Sequence, residues 1–217
     1  MFIGHFALAY AAKRWAPRVS LAVLFGAAQF ADFLWPVLVA AGIERVRIFP
    51  GITASTPLEF VSYPYSHSLL MLVLWGGLLG WVCARRQTQP GAFAVVFALV
   101  VSHWVLDVIT HIPDMPLYPG GPKFGLGLWN SVAATMALEI TMFATGVWMY
   151  TRVMRPVDRI GRWAFVGVTA FLAIGFLANA TSPPPPSVAM IWIGALALGG
   201  LTIAVAYWAD RHHTERA

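Results

Sequence analysis

The chain has a single cysteine, Cys83, among 217 residues, and only 11% of its residues are charged. One cysteine excludes an intramolecular disulfide. Beside Arg85 and Arg86 it reads as a packing or lipid-facing residue rather than a palmitoylation site. A soluble domain carries roughly 25% charged and about 45–50% apolar residues. Here 59% of residues are hydrophobic. So little charge cannot cover a surface that faces water, so lipid is the solvent for much of the chain. The N-terminal stretch lacks a signal-peptide pattern, and the early His5 and Asp32 argue against one. There is no repeat of fixed period. Pro183 to Pro186 is a short stiff connector rather than a domain linker.

What is present is a series of long apolar runs. A spanning helix needs about 20 mostly apolar residues. Six runs meet that test: roughly 19–43, 66–84, 92–112, 130–151, 163–180 and 187–208. Before them lies a shorter apolar stretch, residues 1–12, ended by Lys13, Arg14 and Pro17. It is too short to cross, so it enters partway or lies in the interface. The expected fold is all-α: a polytopic transmembrane bundle of about six spans plus a short N-terminal half-helix. Residues 1–217 form one integral membrane domain.

The net charge of +5 is not a nucleic-acid footprint, because the basic residues fall in the gaps between runs. If every run spans, eleven of the fourteen Lys and Arg lie on one side. The positive-inside rule makes that side the cytoplasm and places the C-terminus there. The loops 44–65 and 113–129 then face outward. Both are rich in Pro and Gly, and together they either form a lid or simply connect spans.

An ionisable group inside a span costs several kcal/mol unless it is paired or bound. His103, Asp107 and His111 recur at i, i+4, i+8 and share one helix face. Two such neighbours hold a metal ion in the helical zinc motif, or pair as a structural strut. Asp32 lies near the middle of the first span, at a depth similar to His103 and Asp107 in the third. His67 heads the second span, and His5 reaches toward the same depth from the N-terminal helix. Three His and two carboxylates suit zinc, manganese or iron; with no thiolate the set does not single out zinc. His111, Asp114 and Glu139 are further candidates. Glu139 faces the centre or hydrogen-bonds a neighbouring helix. Trp129 and Asn130 read as interface and helix-start residues. His212 and His213 read as solvated tail residues.

The order Gly4-His5, Asp32, Ser66-His67-Ser68, Ser102-His103 and Asp107 resembles the membrane-bound metal-dependent hydrolase family. This is a set of bacterial inner-membrane proteins that includes LexA-regulated hydrolases and is similar to zinc phospholipase C-type enzymes. The match covers roughly residues 1–125; the spans from 130 to 208 carry no motif and read as accessory. The family's Asp-x-Asp-His is reduced here to Asp32, followed by Phe33, Leu34 and Trp35. The resemblance implies a hydrolytic metal centre held by His5, Asp32, His67, His103 and Asp107. Asp32 and Asp107 are the general-base candidates. The expected ion is divalent, zinc first, with manganese or iron as alternatives. A site in the outer half of the bilayer implies a lipid-like ester or phosphodiester as substrate. Two other readings stay open: a scaffold with a structural metal or polar site, and an ion or proton conduit.

Overall fold

The spans are apolar on nearly every face because lipid surrounds them. Large side chains such as Leu74, Trp81, Ile174 and Leu198 are exposed. The computed structural model describes residues 1–86 and 89–216. Nine helices are arranged in it. The first is α1 (Ile3–Ala12), followed by α2 (Leu21–Ala28) and α3 (Phe30–Ala40). A one-turn α4 (Pro64–His67) precedes α5 (Leu69–Arg86) and α6 (Ala92–Thr110). The last three are α7 (Val132–Val153), α8 (Arg159–Thr181) and α9 (Val188–Asp210). Helices α5 to α9 are each long and apolar enough to cross a membrane, and the bent pair of α2 with α3 makes a sixth candidate if it is taken as one span.

Serine or aspartate caps α2, α7, α8 and α9, satisfying unpaired first-turn N–H groups. Ser20, Ser131, Asp158 and Ser187 accept from Val23, Ala134, Gly161 and Met190 respectively.

Two sequence expectations change. The first span is not one continuous helix: α2 and α3 meet at Gln29 with a 58° bend. The N-terminal helix, expected either to enter partway or to lie in the interface, is enclosed within the bundle. Eight of its ten residues are buried, and it packs chiefly against α7 and α2. A helix hydrophobic all round belongs in an interior. Its close seat on α7 depends on Gly146, where any Cβ would collide with the Ala7 backbone.

The ends of the bundle differ in chemistry. At the basic end, strands β5 (Met154–Pro156) and β6 (His213–Glu215) pair antiparallel. There the buried Lys13 ammonium lies 2.6 Å from Asp210, whose other oxygen accepts from Leu21 N–H. At the opposite end, the loop 44–65 forms a hairpin of β1 (Arg45–Ile48) and β2 (Leu58–Ser62). The loop 113–129 carries β3 (Met115–Pro116) and β4 (Lys123–Phe124).

Candidate metal centre

Asp107 is the hub of the polar cluster. It is buried in the last third of α6. Its Oδ1 lies 3.1 Å from His5 Nε2, and its Oδ2 lies 3.1 Å from His103 Nε2. His67 Nε2 and His111 Nε2 each stand 3.9 Å from Oδ2. Asp32 Oδ1 is 3.5 Å from His67 Nε2 and 3.8 Å from His103 Nε2. The rings of His5 and His103 stack in parallel, with centroids 3.8 Å apart. The Met1 amino group donates to Asp107 Oδ1 at 2.5 Å and to Thr110 Oγ1 at 3.2 Å.

The outer partners of three histidines decide which nitrogen carries the proton. His103 Nδ1 is 2.8 Å from the Ala28 carbonyl, which only accepts, so Nδ1 donates. His111 Nδ1 is 2.9 Å from Asp114 Oδ1, which also accepts from Tyr63 O–H at 2.7 Å. His67 Nδ1 is 2.7 Å from Ser66 Oγ. The hydroxyl of Ser66 spends its own hydrogen on Glu44 Oε2, 2.6 Å away, so its oxygen accepts from His67. With Nδ1 donating outward, His67, His103 and His111 turn their Nε2 atoms inward, toward Asp32 and Asp107; as neutral rings they would present lone pairs there. His103 Nε2 lacks hydrogen-bond geometry to any partner among the described residues, despite its 3.1 Å approach to Asp107.

Lone pairs converging on carboxylates repel unless a cation or a proton lies between them. The donor spacing fits an ion. Ligands held tetrahedrally at 2.0–2.2 Å stand roughly 3.3–3.6 Å from one another. Two triads qualify, His5–His103–Asp107 and Asp32–His67–His103, each with donor atoms within 4.8 Å of one another. They share His103. The nitrogen-and-oxygen set suits zinc, manganese or iron.

The fold brings His5, Asp32, His67, His103 and Asp107 together from α1, α3, α4 and α6. His67 does not head the second span; it closes the one-turn α4 ahead of α5. His111 joins the rim, and Asp114 stands behind it as its hydrogen-bond acceptor. Glu139 belongs to neither triad. It accepts from the N–H groups of Phe2 and Gly4, at 2.8 and 3.1 Å, and so holds the start of α1. Trp129 is not a plain interface residue: its ring packs 4.1 Å from that of His111.

Sequence reasoning missed Glu44. It sits beside Arg45 in a polar loop and reads there as a surface charge. Yet it is buried and accepts from Tyr65 N–H, Ser66 N–H and the Ser66 hydroxyl. The supposedly accessory spans were also undervalued. A cavity of about 420 Å³ opens from Asp32, His67 and Asp107 and is walled further on by α7, α8 and α9. The loop 44–65 contributes Ser55, Leu58 and Phe60 to its lining.

No curated protein and no solved structure matches the chain. One family model, described as the YdjM inner membrane protein, matches residues 1–209. That description states a location and no reaction. With a match across nearly the whole length and a bundle of five to six candidate spans, the chain belongs to the YdjM inner membrane protein family.

Proposed function

We propose that the protein is a membrane-embedded, metal-dependent hydrolase acting on a lipid-like ester or phosphodiester. The observation that carries this reading is the set of inward-facing imidazole Nε2 atoms around Asp32 and Asp107. Hydrogen bonds to Ala28, Ser66 and Asp114 support that arrangement from outside. His5, Asp32, His67, His103 and Asp107 would hold the ion, zinc first, with manganese or iron as alternatives. A divalent ion supplies Lewis acidity toward the scissile oxygen and an activated water for attack. Asp107 is enclosed by histidines, which suits a ligand. Asp32 is different: its side chain is 40% exposed and lines the cavity, which suits a base that meets water and substrate and is then not a full ligand of the ion. The basic end faces the cytoplasm by the positive-inside rule, so the cluster sits toward the outer side and the C-terminus is inside.

The test is metal content of detergent-purified protein by mass spectrometry, beside a His103→Ala, Asp107→Ala double variant. The expected result is about one or more equivalents of a transition metal in the wild type and a loss in the variant. Screening lipid esters and phosphodiesters with the metal-loaded protein then reads out turnover, expected to vanish in Asp32→Asn. No metal in the wild type, even after reloading with zinc or manganese, would overturn the reading.

A further inference from the structure

The cavity has two chemically distinct ends. One is the His/Asp cluster. The other is a wall of α8 and α9 side chains, including Phe171, Leu172, Phe176 and Leu198. Phe171 is 38% exposed and Leu198 is 55% exposed, so this wall is continuous with the lipid-facing surface of the bundle. Gly175 and Gly194 also line it, and a Cβ built on either meets no atom within 4 Å. The space beside them is room rather than packed helix contact. At about 420 Å³ the cavity falls in the roughly 300–1,000 Å³ range of small-molecule sites.

The polar end asks for a partner as well. Gln29, Asp32 and Trp35 recur at i, i+3, i+6 around the bend into α3, and all three line the cavity. Gln29 Oε1 and Trp35 Nε1 are buried without a hydrogen-bond partner among the described residues. Such groups cost roughly 1–3 kcal/mol each while they stay unpaired. Among the described residues, no Lys or Arg lines the cavity. A packed helix from a second copy would fill the apolar wall and leave these polar groups unanswered. An amphiphile answers both ends.

We infer that the cavity is a lateral binding site for one hydrocarbon chain of a membrane lipid. The chain reaches in from the bilayer along α8 and α9, and its polar linkage lies against Gln29, Trp35 and Asp32. For the identity of the reacting group this rests on the hydrolase reading; for the chain itself it rests on the cavity alone. The substrate is therefore taken from the membrane and not from the aqueous phase.

The test uses vesicles containing a phosphatidylcholine with a diazirine midway along one acyl chain. After irradiation, labelled peptides are mapped in the reconstituted full-length protein. Phe6 and Leu172 are buried from bulk lipid yet line the cavity, so both are expected to label. Gly175→Phe and Gly194→Phe fill the open space and are expected each to cut that labelling by about tenfold. Labelling at Leu74, on the far lipid-facing α5, is expected to stay unchanged and reports that the variants are folded and inserted. Absence of Phe6 and Leu172 labelling in the wild type, or equal labelling in both plugged variants, overturns the inference. His103→Ala separates the two readings. It is expected to lose metal and keep the cavity label. A metal-free wild type that still labels would sink the hydrolase reading and leave the chain site standing.

Discussion

Glu44 lies outside the His/Asp cluster yet fixes the orientation of one of its histidines through Ser66. Its two oxygens take three hydrogens, two from backbone N–H groups and one from Ser66. That leaves Ser66 able only to accept from His67, which aims His67 Nε2 at Asp32. Partners of this kind commonly change metal affinity by about 10–100-fold. On the proposed metal reading, Glu44→Gln is therefore expected to weaken the ion by about tenfold in a chelator competition, with Ser66→Ala similar. Loss of metal no different from wild type in both variants would remove Glu44 from the role. At this scale the sequence was informative where it was chemically odd. A histidine or aspartate inside an apolar run stands out, and all five proposed ligands were found that way. Glu44 was not, because an acid among arginines in a loop looks ordinary until the chain folds back over it.

The elements carry a different lesson. Hydropathy located the spans, since lipid imposes one composition on all of them. It did not reveal the bend at Gln29, because a broken apolar helix and a straight one have the same composition. Pro36 has no N–H to give the Asp32 carbonyl four residues earlier, but it lies inside α3, beyond the bend, and so does not mark it. Nor did hydropathy reveal that α1 is buried. Its contact with α7 at Ala7 and Gly146 joins residues far apart in sequence, and a small residue in each strip is a weak signal. Gly146→Val is expected to push α1 off α7 and cost about 1–3 kcal/mol, lowering the thermal midpoint in detergent. Gly167→Ala, which meets nothing within 4 Å, is the control and is expected to be neutral or slightly stabilising. Equal midpoints for the two variants would remove the close approach from the account.

Across the molecule, the basic end is tied by charge. Lys13 and Asp210 join the end of α1 to the end of α9. Breaking a buried pair from one side costs about 3–5 kcal/mol because the other charge is stranded, whereas replacing both partners is far milder. Lys13→Met is expected to melt well below wild type, and Lys13→Met with Asp210→Leu to recover much of the loss. If the double variant melts no higher than the single, the pair is not the cause.

A second tie nearby titrates. Asp158 caps α8, and the Gly161 N–H first and His212 second hold its carboxyl below the ordinary value. A carboxylate with a lowered folded value stabilises fully above the unfolded value and less as pH falls through the folded one. The gap in thermal midpoint between wild type and Asp158→Ala should therefore be open at pH 6 and narrow as the pH drops below about 4. A gap of constant size would assign the effect to something other than ionisation.

The burial of α1 also sets an order of manufacture. The helix that carries His5 rests on α7, which begins at Val132 and is made later. At about 5–20 residues per second, synthesis takes on the order of ten seconds to cover that distance. Through that interval a helix too short to cross the bilayer waits without the helix that will enclose it. A nascent chain holding every histidine of the cluster thus still lacks the main seat that fixes His5 beside Asp107, although the helices carrying Asp32, His67 and His103 are already made.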